Sequence, residues 1–170
     1  MRTALIVAVL VALPAGAARA ESPLDVFKPL CGKTWQGEFT GPDGTRMTDV
    51  SRWELILGGK AVRTVHSLND GVYGGESLMF WDTEKESLAF VYITTAGFRT
   101  EGTIVVEGDT FTSHEVVHGN ADGITEVRAT SRVKEDGTLE MVSEYLRDGE
   151  WTAGHTVTYV EAQDAEVRFR

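Results

Sequence analysis

Residues 139–160 read LEMVSEYLRDGEWTAGHTVTYV, and this stretch decides the fold class. Before the turn at 147–149, apolar and small side chains alternate with glutamates. After the turn, every second residue from Trp151 through His155 to Tyr159 falls on one face, and threonines occupy much of the other. A period of two with one polar face is typical of antiparallel strands that expose one side to water. The Arg-Asp-Gly turn predicts a hairpin between the two strands.

Similar glycine-containing turns follow one another along the chain after Gly32. The segments between them are rich in Val, Thr, Ile, Phe, Tyr and Trp, as strands are. No sustained 3.6-residue periodicity is present, which excludes crossover helices and a parallel sheet. Pro42 is the last proline, and a closed barrel has no edge strand that would tolerate one. We expect an all-β protein, an antiparallel up-and-down β-barrel of about ten strands; an open β-sandwich is the alternative.

The ends of the chain differ from this pattern. Residues 1–20 resemble a cleaved signal peptide, because Arg2 precedes a short apolar run and the small residues Ala18 and Ala20 form a cleavage site. For residues 21–32, a serine and a proline at the start and a glycine at the end predict a short helical plug. We therefore expect a lipocalin-like barrel over 33–160 and a polar C-terminal tail over 161–170.

The composition restricts compartment and partners. The 170 residues carry 16 Lys+Arg and 26 Asp+Glu, a net charge of −10. An acidic excess disfavours nucleic acid and anionic membranes, which both require clustered Lys and Arg. The leader predicts a periplasmic or secreted protein without a membrane anchor after cleavage. The single cysteine, Cys31, excludes an intrachain disulfide, and we expect it to be a buried, inert thiol.

Chemistry-bearing motifs are few. The four histidines are His66, His114, His118 and His155. His114 and His118 would lie roughly 13 Å apart along a strand, too far to share a metal ion. No nucleophile motif or phosphate loop is present, so we predict no catalytic residue and no metal ligand. His155 shares a face with Tyr159, either as a core histidine bonded to a hydroxyl or as part of a pocket.

The inward faces predicted by alternation combine apolar and aromatic residues with polar ones, among them Asp49 and Glu115. Barrels of this size often enclose a ligand, and apolar walls with a few polar groups suit a small molecule. The open alternative is that Asp49 and Glu115 contact only water at the rim. The residues we expect to line the site are Trp53, Arg63, Phe90, Tyr92, Met141, Tyr145 and His155.

Several short motifs carry a family resemblance. They are Trp35-x-Gly37, LGGKAVR at 57–63, the Trp81-Asp82 turn, GF at 97–98 with EGT at 101–103, and DGEW at 148–151. The first is similar to the opening of calycin barrels, the lipocalin and fatty-acid-binding group. Over about residues 30–160 the chain resembles the bacterial family known as domain of unknown function 1579. This resemblance implies a lipocalin-like barrel and brings no established activity. Related nitrobindin-type barrels hold haem through a histidine near the C-terminal strand, which corresponds here to His155.

We therefore expect an exported barrel that binds a small, largely apolar molecule in its interior and needs no resident cofactor. A hydrolase or isomerase could use the same cavity, with His155 and an interior carboxylate as its acid–base groups. The interior could instead hold haem through His155, or the barrel could have a structural or protein-interaction role. The oligomeric state stays open.

Overall fold

The computed structural model describes residues 22–41, 44–120 and 122–170. Strands dominate the described part of the chain, with two short 3₁₀ helices beside them. The strands are β1 (Thr34–Thr40), β2 (Arg46–Ile56), β3 (Ala61–Leu68), β4 (Tyr73–Asp82), β5 (Ser87–Thr94), β6 (Arg99–Glu107), β7 (Thr110–His118), β8 (Ile124–Val133), β9 (Leu139–Arg147) and β10 (Glu150–Glu161).

The ten strands form one closed antiparallel barrel. Each strand pairs with its neighbours in the chain, and β1 pairs with β10 to complete the ring. Asp148 and Gly149, between β9 and β10, have φ angles of 52° and 81°. These angles match the hairpin turns whose twist suits paired strands. The predicted all-β antiparallel barrel is confirmed, and the open sandwich is wrong because β1 and β10 leave no free edge.

A bulge in β10 changes the face of one predicted inward residue. The pairing of β10 with β9 shifts register between Ala153 and Thr156. The extra residue breaks the period of two, so Trp151 points outward while His155 points inward. The Arg128 guanidinium lies 3.9 Å from the centre of the Trp151 ring on that outer surface. The prediction that Trp151 and His155 share a face is therefore wrong.

The segment before β1 does not form the expected helix over 21–32. Only a five-residue 3₁₀ helix, Pro23–Phe27, is present there. Leu24 and Phe27, one turn apart in this helix, are buried, as is Leu30 in the turn that follows it. No helix among the described residues is long and apolar enough to span a bilayer. The predicted signal peptide lies outside the described residues.

This N-terminal segment closes one end of the barrel. The Phe27 ring stacks on Phe111 at 5.2 Å and lies 6.2 Å from the Trp53 ring, measured between centroids. The indole N–H of Trp35 donates to the carbonyl of Leu30 at 3.1 Å. Burial raises the pKa of Cys31 to about 11, which keeps the thiol protonated and unreactive at neutral pH.

The C-terminal residues 162–170 return along the outside of the barrel. The Arg168 backbone N–H donates to Ser67 Oγ at 3.0 Å. A Cβ at Gly71 would lie 2.7 Å from the Arg168 carbonyl oxygen, so the tail packs closely there. A groove of about 270 Å³ beside the tail is lined by Thr48, Val50, Ser67, Asn69, Asp70 and Glu166. It lies on the outer surface, separate from the interior.

Candidate functional site

The barrel interior divides into two halves of different chemistry. The apolar half lies at the end closed by residues 22–32, and its inward side chains include Trp35, Trp53, Val62, Met79, Leu88, Phe90, Phe111, Leu139 and Val157. The polar half lies toward the opposite end, and its inward side chains include Asp49, His66, Tyr73, Tyr92, Thr100, Glu115, Ser143, Tyr145 and His155. Tyr159 lies between the halves with its hydroxyl on Asp49.

Side chains do not fill the middle of the barrel. Thr64, Ser77, Ser113 and Ala129 sit in the middle of four different strands, and cross-strand pairing directs them inward. Each is only half-buried, whereas inward positions of a packed core are fully buried. All four are small residues. Their exposed surface therefore faces space inside the barrel.

A chain of hydrogen bonds runs through the polar half from Tyr73 to Tyr159. His66 Nδ1 lies 2.9 Å from Asp49 Oδ1, and His66 Nε2 lies 2.6 Å from the Tyr92 hydroxyl. The Tyr73 hydroxyl is 3.0 Å from that of Tyr92, and Tyr159 donates to Asp49 Oδ2 at 2.6 Å. Because a carboxylate only accepts, His66 donates from Nδ1 to Asp49 and accepts at Nε2 from Tyr92. Asp49 thus sets the tautomer of His66.

His155 belongs to a second group of polar side chains. Its Nδ1 lies 2.8 Å from the Tyr145 hydroxyl, and its backbone N–H donates to Ser143 Oγ at 3.0 Å. The ring also stacks on Phe39, with centroids 4.5 Å apart. Burial is the main cause that lowers the pKa of His155, and Asp49 partly opposes it. The imidazole is therefore neutral at neutral pH.

Glu115 faces this network from the other wall. It is on β7, five strands from Asp49 on β2 in either direction around the ring. The Thr100 hydroxyl donates to its carboxylate. Burial raises the pKa of Glu115, and the Thr100 hydrogen bond opposes the rise. Two carboxyl groups therefore occupy opposite walls of one space.

The four tyrosines of the interior are held in the neutral form. Burial is the largest cause that raises the pKa of Tyr73, Tyr92, Tyr145 and Tyr159. The charges of Asp49 and Glu115 further raise the pKa of Tyr73 and of Tyr92. Charges act on each other most strongly across short, poorly solvated distances. Because both carboxyl groups act on the same two tyrosines, the two walls that carry them face the same space. Tyr92 and Tyr159 already donate their single protons within the network, so they can offer a guest only the lone pairs of their oxygens.

Glycines on the inner face allow these tyrosines to cross neighbouring strands. A Cβ at Gly75 would lie closer than 3.0 Å to the Tyr92 ring, and Gly75 pairs directly with His66. Gly37 lies between Tyr159 and Asp49 in the register, and a Cβ there would meet the Tyr159 ring at 3.0 Å. Each missing side chain makes room for a phenol to reach its partner across the strand.

Six of the seven residues predicted to line the site point inward. Trp53 and Phe90 belong to the apolar half, Met141 lies beside it, and Tyr92, Tyr145 and His155 belong to the polar half. Arg63 does not point inward. It lies on the outer face, where its guanidinium makes two 2.8 Å hydrogen bonds to the carboxylate of Glu76. Alternation does not place Arg63, because both faces of β3 carry apolar residues, Ala61 and Val65 on the side of Arg63 and Val62 and Leu68 on the other.

Sequence reasoning does not select His66 or Tyr73 as site residues. Their signal is present in the motif GVYGG at 71–75, which by its glycines predicts a bulge or a tight bend. The chain turns tightly just before the strand, at Asn69–Gly71, where Gly71 has a φ of 90°, and β4 then runs from Tyr73 through Gly75 without a register shift. Gly75 leaves room for the contact between Tyr92 and His66. Two inward glycines of this barrel, Gly37 and Gly75, thus lie beside a tyrosine ring of a neighbouring strand.

The arrangement suits hydrogen bonding to a guest better than covalent chemistry. The interior carboxylate Asp49 pairs with His66, whereas His155 bonds to hydroxyl groups. The acid–base pair of an enzyme would therefore be Asp49–His66, with Tyr92 already occupying the second nitrogen of that histidine. Among the described residues, no group of three or more His, Cys, Asp or Glu side chains could hold a metal ion. No protein-family model matches the chain, and a search of the curated proteins finds no match.

Proposed function

We propose that this barrel binds a small molecule in the space between its closed apolar end and its polar half. The observation that carries the proposal is the unfilled middle of the barrel, where small inward side chains such as Ser77, Ser113 and Ala129 keep exposed surface. Apolar walls with a few hydrogen-bonding groups suit a small-molecule site. The floor is apolar and the upper wall is polar, so the guest has an apolar body and a polar group.

Each half of the interior binds a different part of this guest. The buried rings of Trp35, Phe27 and Phe90 leave the deepest part of the barrel occupied, so the apolar body rests on them. The polar group reaches the hydroxyls of Tyr73 and Tyr145. Hydrogen bonds made inside a poorly solvated space discriminate strongly between guests, because an unmade bond leaves a buried polar group unsatisfied.

Native mass spectrometry of the protein isolated from its own cells tests this proposal. Wild-type protein is expected to carry an additional mass that denaturation releases. Ala129→Phe fills the interior and is expected to abolish the retained mass, whereas Thr130→Phe places the same ring on the outer face and keeps it. A wild-type protein that is empty, and that takes up no small molecule from an extract of the same cells, would contradict the proposal.

Haem is a second candidate guest, and His155 favours it. The imidazole is neutral, its Nδ1 contacts Tyr145, and Nε2 makes no hydrogen bond within the part of the chain that the structure describes. A neutral imidazole with one nitrogen held by a hydroxyl is a typical metal ligand. Added haemin should then give a Soret band that His155→Ala removes and His118→Ala leaves intact. No band in the wild type would exclude this candidate.

Two further proposals concern origin and family. We propose that residues 1–20 are removed on export to the periplasm or the medium; the basic, apolar and small-residue order of the leader supports this. We also propose membership of the family known as domain of unknown function 1579. The closed ten-stranded antiparallel barrel agrees with the architecture that this resemblance implies. Fractionation of cells and N-terminal sequencing of the isolated protein test the first proposal.

A further inference from the structure

The inner wall of the barrel carries an unusual balance of charges. Its carboxyl groups, Asp49 and Glu115, face each other across the interior. The lysines and arginines of the described strands lie on the outer face or at strand ends, as Arg63 and Arg128 do. Arg147, the last residue of β9, is exposed at the rim. An anionic guest would therefore enter a space with two acids and no cationic partner on the interior of the described strands.

Aromatic rings cover much of the wall between the two acids. Tyr73 stacks on Phe98 with centroids 6.4 Å apart, and Tyr92 lies on the neighbouring strand. On the other side of the barrel, Phe39 and Tyr145 flank His155. The faces of such rings are electronegative and attract cations, and the attraction is stronger where water is excluded.

We propose that the guest of this interior is an organic cation, an ammonium group on a small apolar body. The inference rests on the proposed function and specifies its ligand class. The ammonium group lies among the phenol rings between Asp49 and Glu115, and the apolar body points toward the closed end. Carboxylates of long-chain acids are disfavoured, because burying an unpaired anion beside two acids is costly.

The burial of the two acids supports this assignment. The Asp49 side chain is only 7% exposed, yet its hydrogen bonds come from Tyr159 and His66 rather than from a lysine or arginine. Burial raises the pKa of Glu115, as expected where no lysine or arginine of the described strands compensates its charge. A cationic guest would supply the missing compensation for both groups.

Three probes with the same phenyl body separate the charge classes: 2-phenylethylamine, 2-phenylethanol and phenylacetate. Isothermal titration of each into mature wild-type protein is expected to rank the amine above the alcohol by about tenfold and to show no binding of phenylacetate. Equal or tighter binding of the alcohol or of phenylacetate would overturn the cation assignment and leave the proposed function standing. No binding of any probe would also overturn it, and the native mass spectrum of the isolated protein decides separately whether the barrel binds a guest at all.

Variants locate the interaction. Glu115→Gln and Asp49→Asn are expected to weaken binding of the amine about tenfold and to leave binding of the alcohol unchanged. Glu140→Gln, on the outer face of β9, is the matched control and should alter neither. If Asp49→Asn does not fold, Glu115→Gln on the opposite wall still gives the test. An unchanged preference for the amine in both interior variants would contradict the role of these acids.

Discussion

The apolar and polar halves of the interior are built on the same ten strands, yet they differ in packing, partners and access. At the closed end, Leu24, Phe27, Leu30 and Trp35 are each 2% exposed or less. In the polar half, His66 keeps 24% of its side chain exposed although it bonds at both ring nitrogens. One half is therefore closely packed, and the other leaves accessible space beside an ordered network.

This difference separates stability from recognition. Burying a large apolar side chain contributes about 1.5–3 kcal/mol, whereas a typical hydrogen bond contributes about 0.5–1.5 kcal/mol net. The closed end can thus hold the barrel together while the polar half is less closely packed. Substitutions at the closed end should mainly lower stability, and substitutions in the polar half should mainly alter binding and pH dependence.

The largest effect is expected from Phe27→Ala at the closed end. This ring is 1% exposed and contacts Phe111 and Trp53, and removing a buried phenyl group costs about 3–5 kcal/mol. Urea denaturation followed by tryptophan fluorescence measures the loss. Phe169→Ala, on a ring that is 52% exposed, is the control and should cost less than about 1 kcal/mol. A loss for Phe27→Ala as small as the control would mean that the N-terminal segment does not stabilise the barrel.

An intermediate effect is expected from Gly75→Ala in the polar half. The added methyl group overlaps the Tyr92 ring and the Ile93 carbonyl oxygen and moves the Tyr92 hydroxyl away from His66, which should cost about 1–3 kcal/mol. Denaturation gives the stability, and NMR of the His66 ring reports the lost hydrogen bond. Ser77→Ala, also inward on β4, serves as the control. A Gly75→Ala protein with unchanged stability and an unchanged His66 signal would show that Tyr92 does not need this gap.

Glu115→Gln should change the pH dependence of stability. Because burial raises the pKa of the folded Glu115 above its ordinary value of 4.5, the folded state holds this proton more tightly than the unfolded state. The stabilising contribution is complete below pH 4.5 and is lost as pH rises through the folded pKa. Each unit of elevation corresponds to about 1.4 kcal/mol.

Denaturation of wild type and Glu115→Gln across pH 4 to 8, about the range in which carboxyl groups of raised pKa titrate, measures this contribution. The wild type should lose stability relative to the variant as pH rises. Glu126→Gln, whose carboxylate lies on the outer face beside His114, is the control. Parallel profiles for wild type and Glu115→Gln would show that the carboxyl group is not buried in solution.

The smallest effect is expected from Arg63→Gln on the outer face. Its ion pair with Glu76 is solvated, with the two side chains 38% and 41% exposed, and such pairs contribute about 0–1 kcal/mol. Denaturation should show a loss within that range, and retention of the guest should be unchanged. A variant that folds but does not retain its guest would show that Arg63 contributes to binding.

The strands and their turns can be predicted from the sequence because alternation and Asp-Gly chemistry both act between residues close along the chain. The inward direction of Trp53, Tyr92 and Tyr145 follows from the same alternation. The faces of Arg63 and Trp151 do not follow from it, because β3 carries apolar residues on both faces and a bulge in β10 interrupts the period of two.

The sequence by itself determined an all-β antiparallel barrel with a mixed apolar and polar interior, because period-two patterning and turn residues act locally. Only the tertiary structure decided which polar groups meet. Tyr159 reaches Asp49 across 110 residues because β10 closes on β1, and His66 meets Tyr92 because Gly75 leaves a gap between their strands. Such contacts depend on register and ring closure, which arise when all ten strands pair and which no single segment encodes.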